Sequence, residues 1–205
     1  AKMKIFTYEG EKDTIMKPTD SIIYYKHMLQ TGMMAMEPRS GHIKAWVGGV
    51  NYKYFQYDHV GQGARQVGST FKPFLYATAI EQLGMSPCDS IIDSYFTMPK
   101  GKWGIDKDWS PKNSDGNYRG TTTLQKALAN SINTVSAKLI DRVGPKAVVD
   151  MAKELGVTSD IPEQPSIALG AVDITVEQMV GAMSTFANQG VYVKPTFIIK
   201  IEDKN

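Results

Sequence analysis

The segment that most constrains this chain runs from Gly68 to Gly84, where a glycine, a proline and an apolar stripe together specify one helix with a polar tetrad at its head. Phe71, Phe74, Leu75, Ala79 and Leu83 recur at helical spacing and predict a buried face, and Gly84 supplies the stop. Pro73 would break a helix interior, but it is accepted in a first turn, where backbone N–H groups lack partners anyway. Gly68 frees the backbone for a sharp entry. The tetrad Ser69-Thr70-Phe71-Lys72 is thereby placed at the helix N-terminus, with a hydroxyl and an amine three residues apart and facing the same way.

A serine hydroxyl is a poor nucleophile at neutral pH. An amine within hydrogen-bond reach can activate it once burial or a neighbouring cation lowers the amine's pKa. The helix N-terminus adds N–H groups and positive dipole, which suit an oxyanion. Lysine is common enough to follow roughly one serine in fifteen at this spacing, so the pair gains meaning only from its surroundings.

The 205 residues are 42% hydrophobic and 21% charged, the balance of an ordinary globular protein with one core and an irregular arm. Lys plus Arg number 23 against 21 for Asp plus Glu, and no basic stripe is interleaved with aromatics, so no nucleic-acid partner is expected. Cys88 is the sole cysteine, which rules out an internal disulfide and a cysteine metal site. His27, His42 and His59 are far apart and fit no ligand spacing, so neither a metal nor another cofactor is expected. No apolar run approaches ~20 residues, and the start Ala1-Lys2-Met3-Lys4-Ile5 lacks a signal-peptide core.

Along the chain, Lys4 to Tyr8 reads as a strand, and Ser21 to Gln30 as a helix capped by Asp20 or Ser21. Met33 to Met36 and Ile43 to Val47 flank Glu37-Pro38-Arg39-Ser40-Gly41 and predict a β-hairpin, with the methionines as core filling. Residues 48 to 68 are expected to form a loop over the mouth of the site, and 88 to 120 a second irregular stretch. The second half predicts helices: one opened by Thr122 and Gln125, one from Thr134 to Val143, one from Lys146 to Leu155, and one opened by Thr175 and Gln178 and closed by Gly190. Thr196 to Ile201 reads as a strand or arm.

Between two of those helices lies Ser131-Ile132-Asn133. A second hydroxyl could relay a proton between the lysine and a leaving group, and a carboxamide could hold a substrate peptide bond. Serine and asparagine are also ordinary helix-end residues, so this triplet is informative only together with Ser69 and Lys72.

Together these residues resemble the penicillin-binding proteins, whose SxxK, SxN and KTG motifs are shared with the serine β-lactamases. The stretch Met36 to Gly49 is similar to the hairpin that precedes the active-site helix in class A, bifunctional members. Gly68 to Phe74, Trp109-Ser110-Pro111-Lys112-Asn113 and Phe186-Ala187-Asn188-Gln189-Gly190 are similar to further segments of the same transpeptidase domain. The resemblance begins near Gly32, and implies an α+β fold in which residues 1–31 are an arm and residues 32–205 the domain.

One departure is large: neither Lys-Thr-Gly nor Lys-Ser-Gly occurs in the chain. In the family that triad lies on an edge strand, binds the substrate carboxylate and supplies one of two oxyanion-hole amides, the other being that of Ser69. The expectation is a partial domain, mostly helical, lacking the C-terminal strands. Acylation of this chain alone is then expected to be slow or absent, since one donor is worth ~3 to 4 kcal/mol of transition-state stabilisation.

The resemblance implies a DD-transpeptidase of peptidoglycan. Ser69 is expected to attack between two terminal D-alanines of a stem peptide, Lys72 to act as base, Ser131 to pass a proton to the leaving amine, and Asn133 to fix the acyl-chain amide. Implied partners are stem peptides and β-lactams. Implied surroundings are the outer face of the bacterial inner membrane, with an anchor and a glycosyltransferase domain in the parent. A serine β-lactamase would need a deacylating glutamate, and none of Glu81, Glu154, Glu163 or Glu177 begins a Glu-x-x-Leu-Asn. A non-catalytic penicillin sensor or structural fragment is the reading from another class.

Overall fold

The computed structural model describes residues 1–203, and its centre is the predicted helix. A short 3-10 turn over Gly68–Phe71 leads directly into α2, Lys72–Leu83, preceded in the chain by α1, Pro18–Lys26. Phe71, Phe74, Leu75 and Ala79 are fully buried as the stripe requires, whereas Leu83 is 41% exposed in the last turn. Gly84 adopts φ +62°, the left-handed stop that only glycine takes freely.

Three further helices surround α2: α3 (Leu124–Ala129), α4 (Asn133–Val143) and α5 (Pro145–Glu154). Val135, Leu139 and Ile140 of α4 and Val148, Val149 and Ala152 of α5 share one core with the α2 phenylalanines, joined by Ile167 and Ala168 of a 3-10 segment at Pro165–Leu169. Each such side chain, fully removed from water, is worth about 1.5–3 kcal/mol. The last helix, α6 (Val176–Ala187), lies against the strand Met33–Met36.

The strands are short and pair in twos, so the fold is α+β with small antiparallel sheets. β1 (Lys2–Thr7) pairs with β2 (Gly10–Ile15), a strand that the sequence pattern does not announce. β3 (Met33–Met36) pairs with β4 (Ile43–Val47), the predicted hairpin, with a register shift at Ala35/Met36. The methionines there are not uniformly core: Met34 is buried and Met33 is half exposed. β5 (Arg65–Gln66) pairs with β8 (Asp173–Ile174), and β6 (Ser90–Asp93) with β7 (Gly120–Thr123), both inside stretches read as irregular or unassigned.

Boundaries differ from expectation where caps compete. α1 begins at Pro18, ahead of Asp20 and Ser21, because proline fits the first turn. Thr123, not Thr122, caps α3 by accepting from the Lys126 N–H, while Thr175 caps α6 as expected. Thr196 forms an isolated parallel bridge with His42, and Phe197 to Ile201 form no strand.

Within residues 48–68, expected to form one loop, Arg65–Gln66 make β5. Tyr54 and Phe55 pack on Phe6 and Tyr25, so this loop joins the N-terminal hairpin to the body.

Candidate active site

Ser69 and Lys72 occupy consecutive ends of the 3-10 turn. The Lys72 N–H donates to the Ser69 carbonyl, and side chains three apart in such a turn eclipse, so both project to one side as the spacing predicts. Their environments are opposite. Ser69 is exposed and its hydroxyl takes no partner among the described residues, whereas Lys72 is 1% exposed.

The lysine amine points to the α3–α4 junction. Nζ donates to the Ser131 carbonyl at 2.7 Å, to Ser131 Oγ at 2.9 Å and to Asn133 Oδ1 at 2.8 Å. These three acceptors match the three hydrogens of an ammonium. Burial nevertheless disfavours the charge and pushes Lys72 down to about 8. At pH 7 roughly one molecule in ten therefore carries a neutral amine able to accept a proton, against fewer than one in a thousand for an ordinary lysine.

Ser131 reaches this position through backbone strain. Its φ is +52°, a left-handed conformation that costs a non-glycine residue of order 1–3 kcal/mol and persists only where the surroundings enforce it. Here that conformation turns carbonyl and hydroxyl together toward Lys72. The Ser131 hydroxyl accepts from Nζ, leaving its own hydrogen available to a third group. Asn133 Nδ2 donates to the Lys112 carbonyl at 2.9 Å, and its second hydrogen remains available. The structure thus brings Lys72, Ser131 and Asn133 into one hydrogen-bonded cluster beside an exposed Ser69.

Residues outside these motifs support the serine. Val67 N–H donates to the Val172 carbonyl at 3.0 Å, and Gly68 N–H to the Gly170 carbonyl at 3.1 Å. Gly170 has φ +73°, and a Cβ there would stand 1.8 Å from the Gly68 carbonyl oxygen. Only glycine lets the two backbones approach this closely. A glycine ending the run Pro165 to Leu169 is legible in the sequence as a helix stop, but its contact with Gly68 is not.

Asn113, in the segment Trp109 to Asn113, lies beneath Asn133, accepting from the Asn133 N–H at 3.0 Å and the Thr134 N–H at 3.2 Å. The three histidines stay apart from this site: His27 bonds the Ile23 carbonyl, His42 lies at the Thr196 bridge, and His59 packs edge-on to Tyr57.

Residues 31–205 match the family described as penicillin binding protein transpeptidase domain, and residues 1–29 match the penicillin-binding protein middle domain. The chain belongs to the penicillin-binding protein transpeptidase family. It is 39% identical over 180 residues to penicillin-binding protein 1A of Aquifex aeolicus (strain VF5), covering 86% of this chain and 24% of that protein. Against penicillin-binding protein 1A of Neisseria flavescens the identity is 37% over 177 residues, covering 86% and 22%.

Among solved structures it is similar to penicillin-binding protein 1A from Haemophilus influenzae, with TM-score 0.76 and 29% identity over 82% of this chain and 24% of that one. It is also similar to the PonA1 protein from Mycobacterium tuberculosis in complex with penicillin V, with TM-score 0.69 and 27% identity over 86% and 49%. The chain spans about a quarter of the length of the curated relatives it matches.

Proposed function

We propose that this chain carries the acylation centre of a peptidoglycan DD-transpeptidase, with Ser69 as nucleophile and Lys72 as base. The observation that carries the reading is the buried Lys72 amine shared between Ser131 and Asn133 next to an exposed serine at a helix N-terminus.

Neutral Lys72 takes the Ser69 proton as Oγ adds to the carbonyl between two D-alanines of a stem peptide. The tetrahedral oxyanion forms beside the Ser69 N–H, one of the first backbone donors of the turn. The carbon–nitrogen bond then breaks, and the proton held by Lys72 reaches the departing amine through the Ser131 hydroxyl. Asn133, anchored by Lys72 and the Lys112 carbonyl, offers its remaining Nδ2 hydrogen to the acyl-chain amide. An amine from a neighbouring stem resolves the acyl-serine ester and forms the cross-link.

Residues 32–205 supply this chemistry and residues 1–31 the arm that precedes it. The reading places the parent protein at the outer face of the inner membrane. Among the described residues no helix is long and apolar enough to cross a membrane, so the anchor would be contributed elsewhere in the parent. β-Lactams act as substrate mimics, a role supported by the penicillin V complex of the similar PonA1 protein.

Exposure to a fluorescent penicillin for a day, followed by peptide mapping, tests the proposal. One long-lived adduct per chain is expected on Ser69, formed slowly and lost in Ser69→Ala. Rapid release of the label would instead favour a β-lactamase, and an adduct on another residue, or one retained in Ser69→Ala, would contradict the assignment of Ser69.

A further inference from the structure

Outside the cluster already described, the most densely satisfied buried charge is Asp93 at the end of β6, 1% exposed. Its Oδ1 accepts from Thr134 Oγ1 at 2.5 Å and from Asn113 Nδ2 at 2.9 Å. Its Oδ2 accepts from the Arg119 N–H at 2.8 Å, with the guanidinium at 3.8 Å. Burial alone would raise its pKa, yet the donors from Thr134, Asn113 and Arg119 outweigh it and hold the carboxyl below its usual range. A buried carboxylate this fully paired is costly to build and has a structural consequence that an apolar residue could not supply.

That consequence lies in Asn113, itself 6% exposed. Asp93 and the Asn117 carbonyl both accept from its Nδ2, which fixes which way the carboxamide faces. Its Oδ1 is thereby aimed at the Asn133 and Thr134 N–H groups, the opening donors of α4. The N-cap residue of α4, Ile132, provides no side-chain acceptor, so the helix is capped by a residue twenty positions away.

We infer that the Asp93–Asn113 pair is a positioning device, which fixes the first turn of α4 and so holds strained Ser131 and Asn133 against the Lys72 amine. Its catalytic meaning rests on the acyl-serine reading given above, but the positioning itself is independent of acylation. Removal of the cap lets the α4 N-terminus open, and water then reaches the amine.

The test follows the Lys72 ammonium by NMR through a pH titration and measures amide hydrogen exchange in the whole chain, for wild type, Asn113→Ala and the exchanged pair Asp93→Asn/Asn113→Asp. The exchanged pair retains an acceptor for both amides and a donor between the two side chains. In Asn113→Ala, exchange at Asn133 and Thr134 is expected to rise about tenfold more than at Leu139 and Ile140. The Lys72 midpoint is expected to rise by at least about half a pH unit. The exchanged pair, which keeps the amide cap, is expected to slow exchange at Asn133 and Thr134 relative to Asn113→Ala.

A purely structural role would speed exchange evenly along α4 and leave the Lys72 titration where it was, and that result overturns the inference. So does either effect without the other. Because no readout uses the serine, a negative adduct-mapping experiment would remove the acyl-serine reading while leaving this result standing.

Discussion

The helical body and the N-terminal hairpin unit are held together by different physics. In the body, Phe71 of the 3-10 turn and Phe74 and Leu75 of α2 are completely buried among aliphatic side chains of α4 and α5, and the Lys72–Ser131–Asn133 cluster is mounted on that core. The α1 helix of the N-terminal unit buries no residue completely. Tyr24 Oη donates to the Phe6 carbonyl at 2.8 Å and the Phe6 N–H donates to Tyr25 Oη at 3.1 Å, while Glu11 meets Lys53 and Tyr54 in the open. Water competes directly for the exposed Glu11 contacts, whereas the two tyrosine bonds to buried Phe6 are partly sheltered. The Lys72–Ser131–Asn133 cluster is therefore seated on the body, and the hairpin unit is attached mainly through aromatic rings and tyrosine hydroxyls.

The most disruptive change to this comparison is Gly170→Ala. The added Cβ would meet the Gly68 carbonyl, and the positive φ would strain any side chain, so a loss of at least about 4–5 kcal/mol is expected in denaturant unfolding. Phe74→Ala comes next, at about 3–5 kcal/mol for a fully buried ring replaced by a cavity.

Lys72 gives a pH-resolved test of the body. The folded state holds this proton less tightly than the unfolded chain does, so between about pH 8 and 10.5 the unfolded state binds more protons and folding gains stability as pH rises. Relative to Lys72→Met, wild type is expected to gain up to about 3 kcal/mol across that window and nothing below it. Acylation should follow the same group, rising about tenfold per pH unit below pH 8 and levelling above it.

Phe6→Ala is expected to act locally, speeding hydrogen exchange in β1 and β2 while leaving the body's thermal midpoint unchanged; a fall in that midpoint would show the two regions to be one cooperative unit. Glu11→Gln should be the mildest change, with no measurable effect on either region, because an exposed ion pair contributes little.

The legible parts of this molecule were those encoded by local periodicity and by motif. The α2 stripe, the β3–β4 hairpin and the break at Ser131-Ile132-Asn133 each follow from a few adjacent residues. What the sequence concealed depends on contacts between distant segments. Nothing near Asp93 announces that it orients Asn113, and nothing near Gly170 announces that Gly68 lies against it. Even at the site, the spacing of Ser69 and Lys72 conveyed which way they point, but not that the amine would be bonded to Ser131 and Asn133. The loop 48–63 lacked periodicity, and its attachment to Phe6 and Tyr25 comes from aromatic residues with no local partner.

The central claim is that Ser69 is the nucleophile and is served by Lys72. Peptide mapping by mass spectrometry after prolonged exposure to a β-lactam, with wild type, Ser69→Ala and Lys72→Met in parallel, tests it most directly. The account predicts one adduct on Ser69 in wild type, none in Ser69→Ala, and formation at least about a hundredfold slower in Lys72→Met. An adduct on another residue, or undiminished labelling in Ser69→Ala, would contradict it.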